Sequence, residues 1–356
     1  MILEILAFLF VLGLLIFVHE LGHFAVAKWC GIRVETFSLG FPPKMIGFRK
    51  GDTEYCISWI PLGGYVKMSG EKPDEGDIHG RPYEFMSKPV WQRALVIFAG
   101  PAMNYVLAVG ILFGIYMFKG EPIDVKTSEI GIVTKDHPAD KAGLKPGDVM
   151  LAIDDSLINS FEGMYGLVTK KPGQEVKLTW LRGADTMYAY TTTRVDTVMN
   201  MQGEVEYIGK IGVGRQVDYK PMSIGASLKG GFDMANFYVA QIFVFIRDIT
   251  VGAVSSKLIG GPLFIAQAAG EAAKQGFLSV LFLASILSVN LCVVNLVPIP
   301  VLDGGQLLFL LIEKIKGSPI SMKGRAIAQQ VGLVFLILLI IFVTKNDIWR
   351  INIFGW

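Results

Sequence analysis

Charged residues are scarce in this chain: Asp, Glu, Lys and Arg make up 18% of its 356 residues, against about a quarter in a soluble domain. That deficit argues against an ordinary water-soluble protein if the apolar residues are gathered into long runs. Neither sign of charge prevails, since the net charge is +2, so nothing points to nucleic acid as a partner. Cysteine is nearly missing. Cys30, Cys56 and Cys292 are odd in number and irregularly spaced, which excludes a disulfide framework and a cysteine-type zinc site. Histidine is rare too: His19, His23, His79 and His137 are all there is. No internal repeat or low-complexity tract is evident.

What the chain has instead is apolar runs. Four stand out, over about Ile2–Ala27, Ala94–Phe118, Phe277–Val297 and Ile327–Val343. Each approaches the roughly 20 residues that cross a hydrocarbon core. The first is expected to be a retained helix, not a signal peptide: no basic residue precedes Lys28, and no small-residue cleavage site closes the run. Gly100-Pro101 predicts a bend near the start of the second. The stretch from Phe232 to Ile249 is interrupted by Asp233, Asn236 and Gln241, so an interfacial helix is expected there and not a fifth span.

Basic residues orient the spans. Ten Lys and Arg lie from Lys28 to Arg93, and Lys314, Lys316, Lys323 and Arg325 lie between the last two runs. By the positive-inside rule both segments face the cytoplasm. The long segment from Lys119 to about Gln275 then lies outside. Its part from Ser128 to Val217 alternates strand-like pieces (Ile130–Thr134, Val149–Ile153, Val176–Leu181, Met187–Thr193) with turn clusters and one short helix, Phe161–Thr169. The expected organisation is 1–118 with two spans, 119–220 as a compact soluble domain, 221–276 as interfacial helices, and 277–356 with two further spans.

The first span carries His19-Glu20-Leu21-Gly22-His23. On a helix, positions i and i+4 share a face, so both imidazoles can hold one ion. Glu20 can reach a water on that ion, which is the H-E-x-x-H arrangement. A chance match is disfavoured, because polar and charged groups inside a membrane helix are costly and need compensation. A catalytic zinc takes three protein ligands and keeps one open position. His79 and His137 fall in polar loops, so Asp303 is the better third ligand. It follows Pro298 and Pro300, which break the third span, and broken backbone at membrane depth lines a cavity. His19 lies nine residues before Lys28, or roughly 13 Å below the cytoplasmic end of its helix. Asp303 arrives at the same side only if Phe232–Ile249 is not a span.

These residues resemble those of the site-2 protease family of intramembrane zinc metalloproteases, in its bacterial regulated-proteolysis form. The likeness rests on His19–His23, on Asn295 to Gly305, which matches N-x-x-P-x-P-x-L-D-G, and on Phe98–Asn104 in the second span. It implies an α-helical polytopic membrane protein with four transmembrane helices, an inserted α+β PDZ domain and a membrane-associated β-hairpin region. It further implies Zn²⁺ on His19, His23 and Asp303, Glu20 as general base, and Asn295 near the substrate or developing oxyanion. Asn104 is expected to pack helices. The segment His137–Asp148 resembles a bacterial PDZ domain, present in one copy; such domains bind extended chains or C-termini. Ile57–Gly70 resembles the family's membrane-dipping β-hairpin, with alternating apolar residues around Gly63-Gly64 and with Gly64, Tyr65 and Val66 as a substrate-binding edge. Ser256–Pro262 resembles the family's segment just after the PDZ region, and with Phe264–Ala273 it is expected to form an interfacial helix at the outer mouth, where it and the PDZ domain would restrict entry to substrates already trimmed outside.

The activity so implied is cleavage of single-pass membrane proteins, such as anti-sigma factors or signal-peptide remnants, in the bacterial inner membrane. The PDZ domain would be extracytoplasmic and the active site near the cytoplasmic face. Two other readings compete. A catalytically silent PDZ-bearing scaffold would be free to lose Glu20, and a zinc transporter needs a polar pathway across the bilayer, whereas only one polar cluster is visible.

Overall fold

The computed structural model describes residues 2–71, 80–123 and 127–354. His79 and Lys72 lie outside the described residues. The chain divides into two compact units. The first comprises Met1–Tyr116, Ser223–Arg247 and Ile259–Ile348; the second comprises Met117–Met222, Asp248–Leu258 and Trp349–Trp356.

Four helices of the described residues are long and apolar enough to cross a membrane. They are α1 (Ile2–Trp29), α2 (Val90–Lys119), α7 (Phe277–Asn295), and Lys323–Ile351 within α9 (Met322–Phe354). Where a bend was expected, Pro101 lies inside a continuous α2. Membrane helices tolerate such a proline when neighbouring groups satisfy the freed backbone. α7 stops at Asn295 because Pro298 and Pro300 cannot continue it. The chain then turns and starts α8 (Asp303–Lys316) with Asp303 in its first turn. Two glycines make this reversal possible. A Cβ on Gly304 would stand 2.3 Å from the Leu296 carbonyl oxygen, and one on Gly305 would stand 2.2 Å from that of Ile299.

Between α1 and α2 run β1 (Val34–Lys50) and β2 (Thr53–Met68). The turn between them is at Gly51-Asp52, where Gly51 takes φ +61°. The region expected around Gly63-Gly64 is thus part of a larger hairpin: both glycines lie within β2, whose direction reverses between Ile57 and Gly64 against Thr36–Leu39. The register puts Val34–Leu39 opposite Gly64–Met68 on one side, while Thr36–Leu39 also faces Glu54–Ile57. The segment Gly64–Met68 is therefore an edge, with no strand on its other side among the described residues. Val34, Phe37, Val66 and Met68 are buried with Ala27 of α1, Val96 and Ile97 of α2 and Leu310 of α8. Burial of those side chains, worth about 1.5–3 kcal/mol each, ties the hairpin base to the helices. Arg93 of α2 adds a bidentate ion pair to Glu313 of α8, at 2.6 and 3.1 Å, with only 5% and 13% of the two side chains exposed.

Two further helices complete this unit. In α5 (Ile224–Thr250) the small residues Ser227, Gly231 and Ala235 are buried, a spacing that brings one face close to α2. A Cβ on Gly231 would stand 3.0 Å from Phe113 N and Val109 O. Tyr105 Oη donates to Asn236 Oδ1 at 2.8 Å, which accounts for one polar residue of this helix. The start of α6 (Pro262–Gln275) is held by Asp347 of α9: the N–H groups of Gly261, Leu263 and Phe264 donate to its carboxylate at 2.8, 3.1 and 3.2 Å. A carboxylate there satisfies the orphan donors of the helix start and complements its dipole.

The second unit is mainly β. Its largest sheet has the order β6-β5-β7-β8 (Ser156–Leu157, Val149–Ile153, Glu175–Arg182, Asp185–Thr192). Around it lie three strand pairs: β3 with β12 (Glu121–Ile123, Asp218–Lys220), β4 with β11 (Ile130–Val133, Val213–Arg215), and β9 with β10 (Arg194–Met199, Val205–Lys210). Short helices α3 (Pro138–Lys141) and α4 (Phe161–Thr169) pack alongside. Ser160 caps α4 by accepting from Gly163 N. Trp180, Leu178, Met150 and Ile153 centre the core. Asp148, 2% exposed, accepts from Arg182 Nε and Nη2 at 2.8 and 2.7 Å.

Candidate metal centre

His19 and His23 stand one turn apart on the buried side of α1, their rings edge to face. Their Nε2 atoms approach to 3.1 Å. Asp303 reaches the same point from the first turn of α8: its Oδ2 is 3.2 Å from His19 Nε2 and its Oδ1 is 3.6 Å from His23 Nε2. Three side chains distant in sequence thus converge, each only 11–13% exposed. Among the described residues, they form the one group of His, Cys, Asp and Glu side chains arranged to hold a metal ion.

The spacing suits zinc. Tetrahedral coordination with bonds of about 2.0–2.1 Å separates ligand atoms by about 3.3 Å. Asp303 Oδ2 is buried without a hydrogen-bond partner despite its closeness to His19. That is costly for a carboxylate unless a cation sits among the three groups. The far side of each ring agrees. His23 Nδ1 donates to the Val96 carbonyl at 2.9 Å, leaving Nε2 as the free lone pair. His19 Nδ1 lies 3.1 Å from the Asn104 side-chain amide.

Space for the imidazoles is made by absent side chains. A Cβ on Gly100 would lie 2.3 Å from His23 Nε2, and a Cβ on Gly22 would lie 2.3 Å from the Ala99 carbonyl oxygen. Hence α1 and α2 meet backbone to backbone at the histidines. Glu20, buried, follows His19 on the same turn. The edge strand runs beside it: a Cβ on Gly64 would stand 2.8 Å from Glu20 Cγ and 3.0 Å from Ile16 Cγ2.

Of the residues expected at a substrate edge, Gly64 thus lies against Glu20. Tyr65 is half-buried opposite Ser38, and Val66 is buried in the core, leaving its main chain to serve an edge. Asn295 is half-buried at the end of α7, where the loop towards Asp303 begins. Sequence reading had no sight of Val96 or Ser288. It gave Asn104 only a packing role, yet this residue touches His19 through its side chain and accepts from Ser288 Oγ at 2.7 Å through its carbonyl. The Phe98–Asn104 signature was the one signal that pointed there.

A model of peptidase family M50 matches residues 7–339. The putative zinc metalloprotease Atu1380 of Agrobacterium fabrum is 35% identical over 97% of this chain and 95% of its own length. The zinc metalloprotease RasP of Shouchella clausii is 31% identical over 98% of this chain and 99% of its own length. Among solved structures, the PDZ domain of an SdrC-like protein from Listeria monocytogenes is similar to 26% of this chain and covers 88% of that domain, with 21% identity and a TM-score of 0.20.

Proposed function

The chain belongs to peptidase family M50, the site-2 zinc metalloproteases, and from that premise we propose that His19, His23 and Asp303 hold the zinc while Glu20 acts as general base in cleaving membrane-spanning segments of single-pass proteins. The observation that carries this reading is the meeting of three donor atoms 3.1–3.6 Å apart with Glu20 on the adjacent position.

Zinc supplies a Lewis acid for the scissile carbonyl and makes a water acidic enough to react at neutral pH. The Glu20 carboxylate takes a proton from the attacking water and delivers it to the leaving nitrogen, as a positioned general base that then becomes the acid. The apolar walls around it exclude bulk water and raise the strength of each electrostatic contact. A transmembrane helix hides its peptide groups, so it must be unwound before attack. The edge at Gly64, Tyr65 and Val66 supports a role in holding such a segment extended: main-chain groups on an edge strand pair with an added strand. Asn295 is assigned to the substrate carbonyl side of the site.

Four membrane helices in this family make the chain an inner-membrane protein. The distribution of Lys and Arg supports an extracytoplasmic insertion, read as a PDZ domain, and an active site near the cytoplasmic face. The functional division is then 1–118, 119–220, 221–276 and 277–356. Substrates such as anti-sigma factors or signal-peptide remnants would be admitted after a first cut outside. Glu20→Gln tests the catalytic assignment. The variant is expected to keep its zinc and lose cleavage of a single-pass reporter in membrane vesicles; persistent cleavage would show that another group is the base.

A further inference from the structure

Asn104 is fully buried midway along α2. With its amide nitrogen 3.1 Å from His19 Nδ1, its own Oδ1 is buried without a partner. Two groups are ill-matched in that arrangement. A histidine that offers Nε2 as a lone pair carries its proton on Nδ1, so a ring N–H faces an amide N–H while an acceptor stands idle. The two ends of a carboxamide exchange by a half-turn about the last bond and are assigned by their partners. After that half-turn Oδ1 accepts from His19 Nδ1–H, and both mismatches vanish.

We infer that Asn104 is a positioning residue for the metal: its Oδ1 accepts the His19 Nδ1 proton and so fixes the tautomer that turns Nε2 towards His23 and Asp303. The proposal rests on the zinc assignment above. His23 supplies a parallel, since its Nδ1 donates to the Val96 carbonyl one turn before Gly100 on the same helix. Both imidazoles are thus oriented by neutral acceptors on α2. Asn104 is itself anchored, because its carbonyl accepts from Ser288, a fully buried residue of α7. Acceptors of this kind set the ring's orientation and raise its basicity, and their loss lowers metal affinity about 10–100-fold.

The test is zinc affinity of the full-length protein in detergent, measured by competition with a fluorescent chelator, alongside the visible spectrum of the Co²⁺-loaded form. Asn104→Asp keeps an acceptor and is expected to bind zinc within about threefold of wild type. Asn104→Leu keeps a similar length without the acceptor and is expected to bind about 10–100-fold more weakly, with an altered Co²⁺ spectrum. A residue that merely packs would give the opposite order, Leu tolerated and Asp not. Wild-type affinity in Asn104→Leu, or equal weakness in both variants, overturns the inference. Should Leu prevent folding, Asn104→Ala replaces it under the same criteria. A wild-type protein that holds no metal would instead refute the zinc assignment beneath it.

Discussion

Gly100→Ala adds a single methyl group, and the structure says where it goes. The new Cβ would lie 2.3 Å from His23 Nε2, 2.5 Å from His23 Cε1 and 2.9 Å from His19 Cε1. Non-bonded heavy atoms rest about 3.5–4.0 Å apart, so ring and helix must part by about 1 Å or more. Zinc–ligand distances tolerate about 0.2 Å. His23 cannot yield by tilting without stretching its 2.9 Å bond to Val96. The methyl therefore removes His23 from coordination. Zinc affinity should fall at least about 100-fold, beyond the usual loss for an outer-shell partner, and overpacking should cost about 1–3 kcal/mol of stability. Gly110 on the same helix is the matched control, because a Cβ there meets nothing within 4 Å. Both variants would be assayed by chelator competition and thermal unfolding in detergent. If Gly100→Ala holds zinc as tightly as Gly110→Ala, the ring geometry at α1 and α2 is wrong.

Other consequences follow from particular contacts. Gly64→Val would press on Glu20 Cγ and the Ser38 carbonyl, both 2.8 Å from the new Cβ; a displacement of that size costs up to about 100-fold in rate, so cleavage should drop while zinc content, read by elemental analysis, stays at the wild-type level. Arg93→Met removes the bidentate partner of the half-buried Glu313 carboxylate but leaves Arg325 facing it, so the expected cost is that of charged hydrogen bonds, about 1.5–3 kcal/mol, whereas Arg93→Met with Glu313→Leu should recover most of it; equal melting temperatures for the single and double variants would contradict this. In the insertion, burial works against the Asp148 carboxylate, but the Arg182 hydrogen bonds and the Lys145 N–H outweigh it and hold its pKa below the usual range. Its contribution is thus present above the unfolded Asp value, about pH 4, and lost as pH falls through the lower folded value. Protection factors at Met150 and Trp180, which take out the slower intrinsic exchange in acid, should therefore fall on acidification in the wild type and change less in Asp148→Asn, and identical acid dependence would refute the assignment.

The membrane helices were legible because length and apolarity decide them, and their ends ran long only where polar ends extend the helix. α2 begins at Val90 rather than near Ala94, and α9 runs from Met322 to Phe354. Local signals also served in the insertion, where β5 and α4 have the expected bounds. The hairpin did not yield to the same reasoning. The tight turn lies at Gly51-Asp52 instead, and Gly63-Gly64, where β2 reverses, also serve close approach: a Cβ on Gly63 would meet the Phe41 ring at 2.5 Å, and one on Gly64 meets Glu20. Paired glycines carry no mark that separates the two uses. The pair β9 and β10 was missed because neither strand has a buried, alternating face; most of its residues are half-buried or exposed. Asp347 holding the start of α6, 83 to 86 residues away, is a contact that only the tertiary fold creates. The same holds for Asn104, whose side chain means packing or metal support depending on what α1 presents to it.

Zinc-edge X-ray absorption on the purified full-length protein, paired with metal stoichiometry, addresses the centre itself. One zinc per chain is expected, with two imidazole nitrogens and a carboxylate oxygen at about 2.0–2.2 Å, and with the carboxylate missing from Asp303→Ala. A chain that binds no metal, or a coordination shell that Asp303→Ala leaves unchanged, would contradict the account.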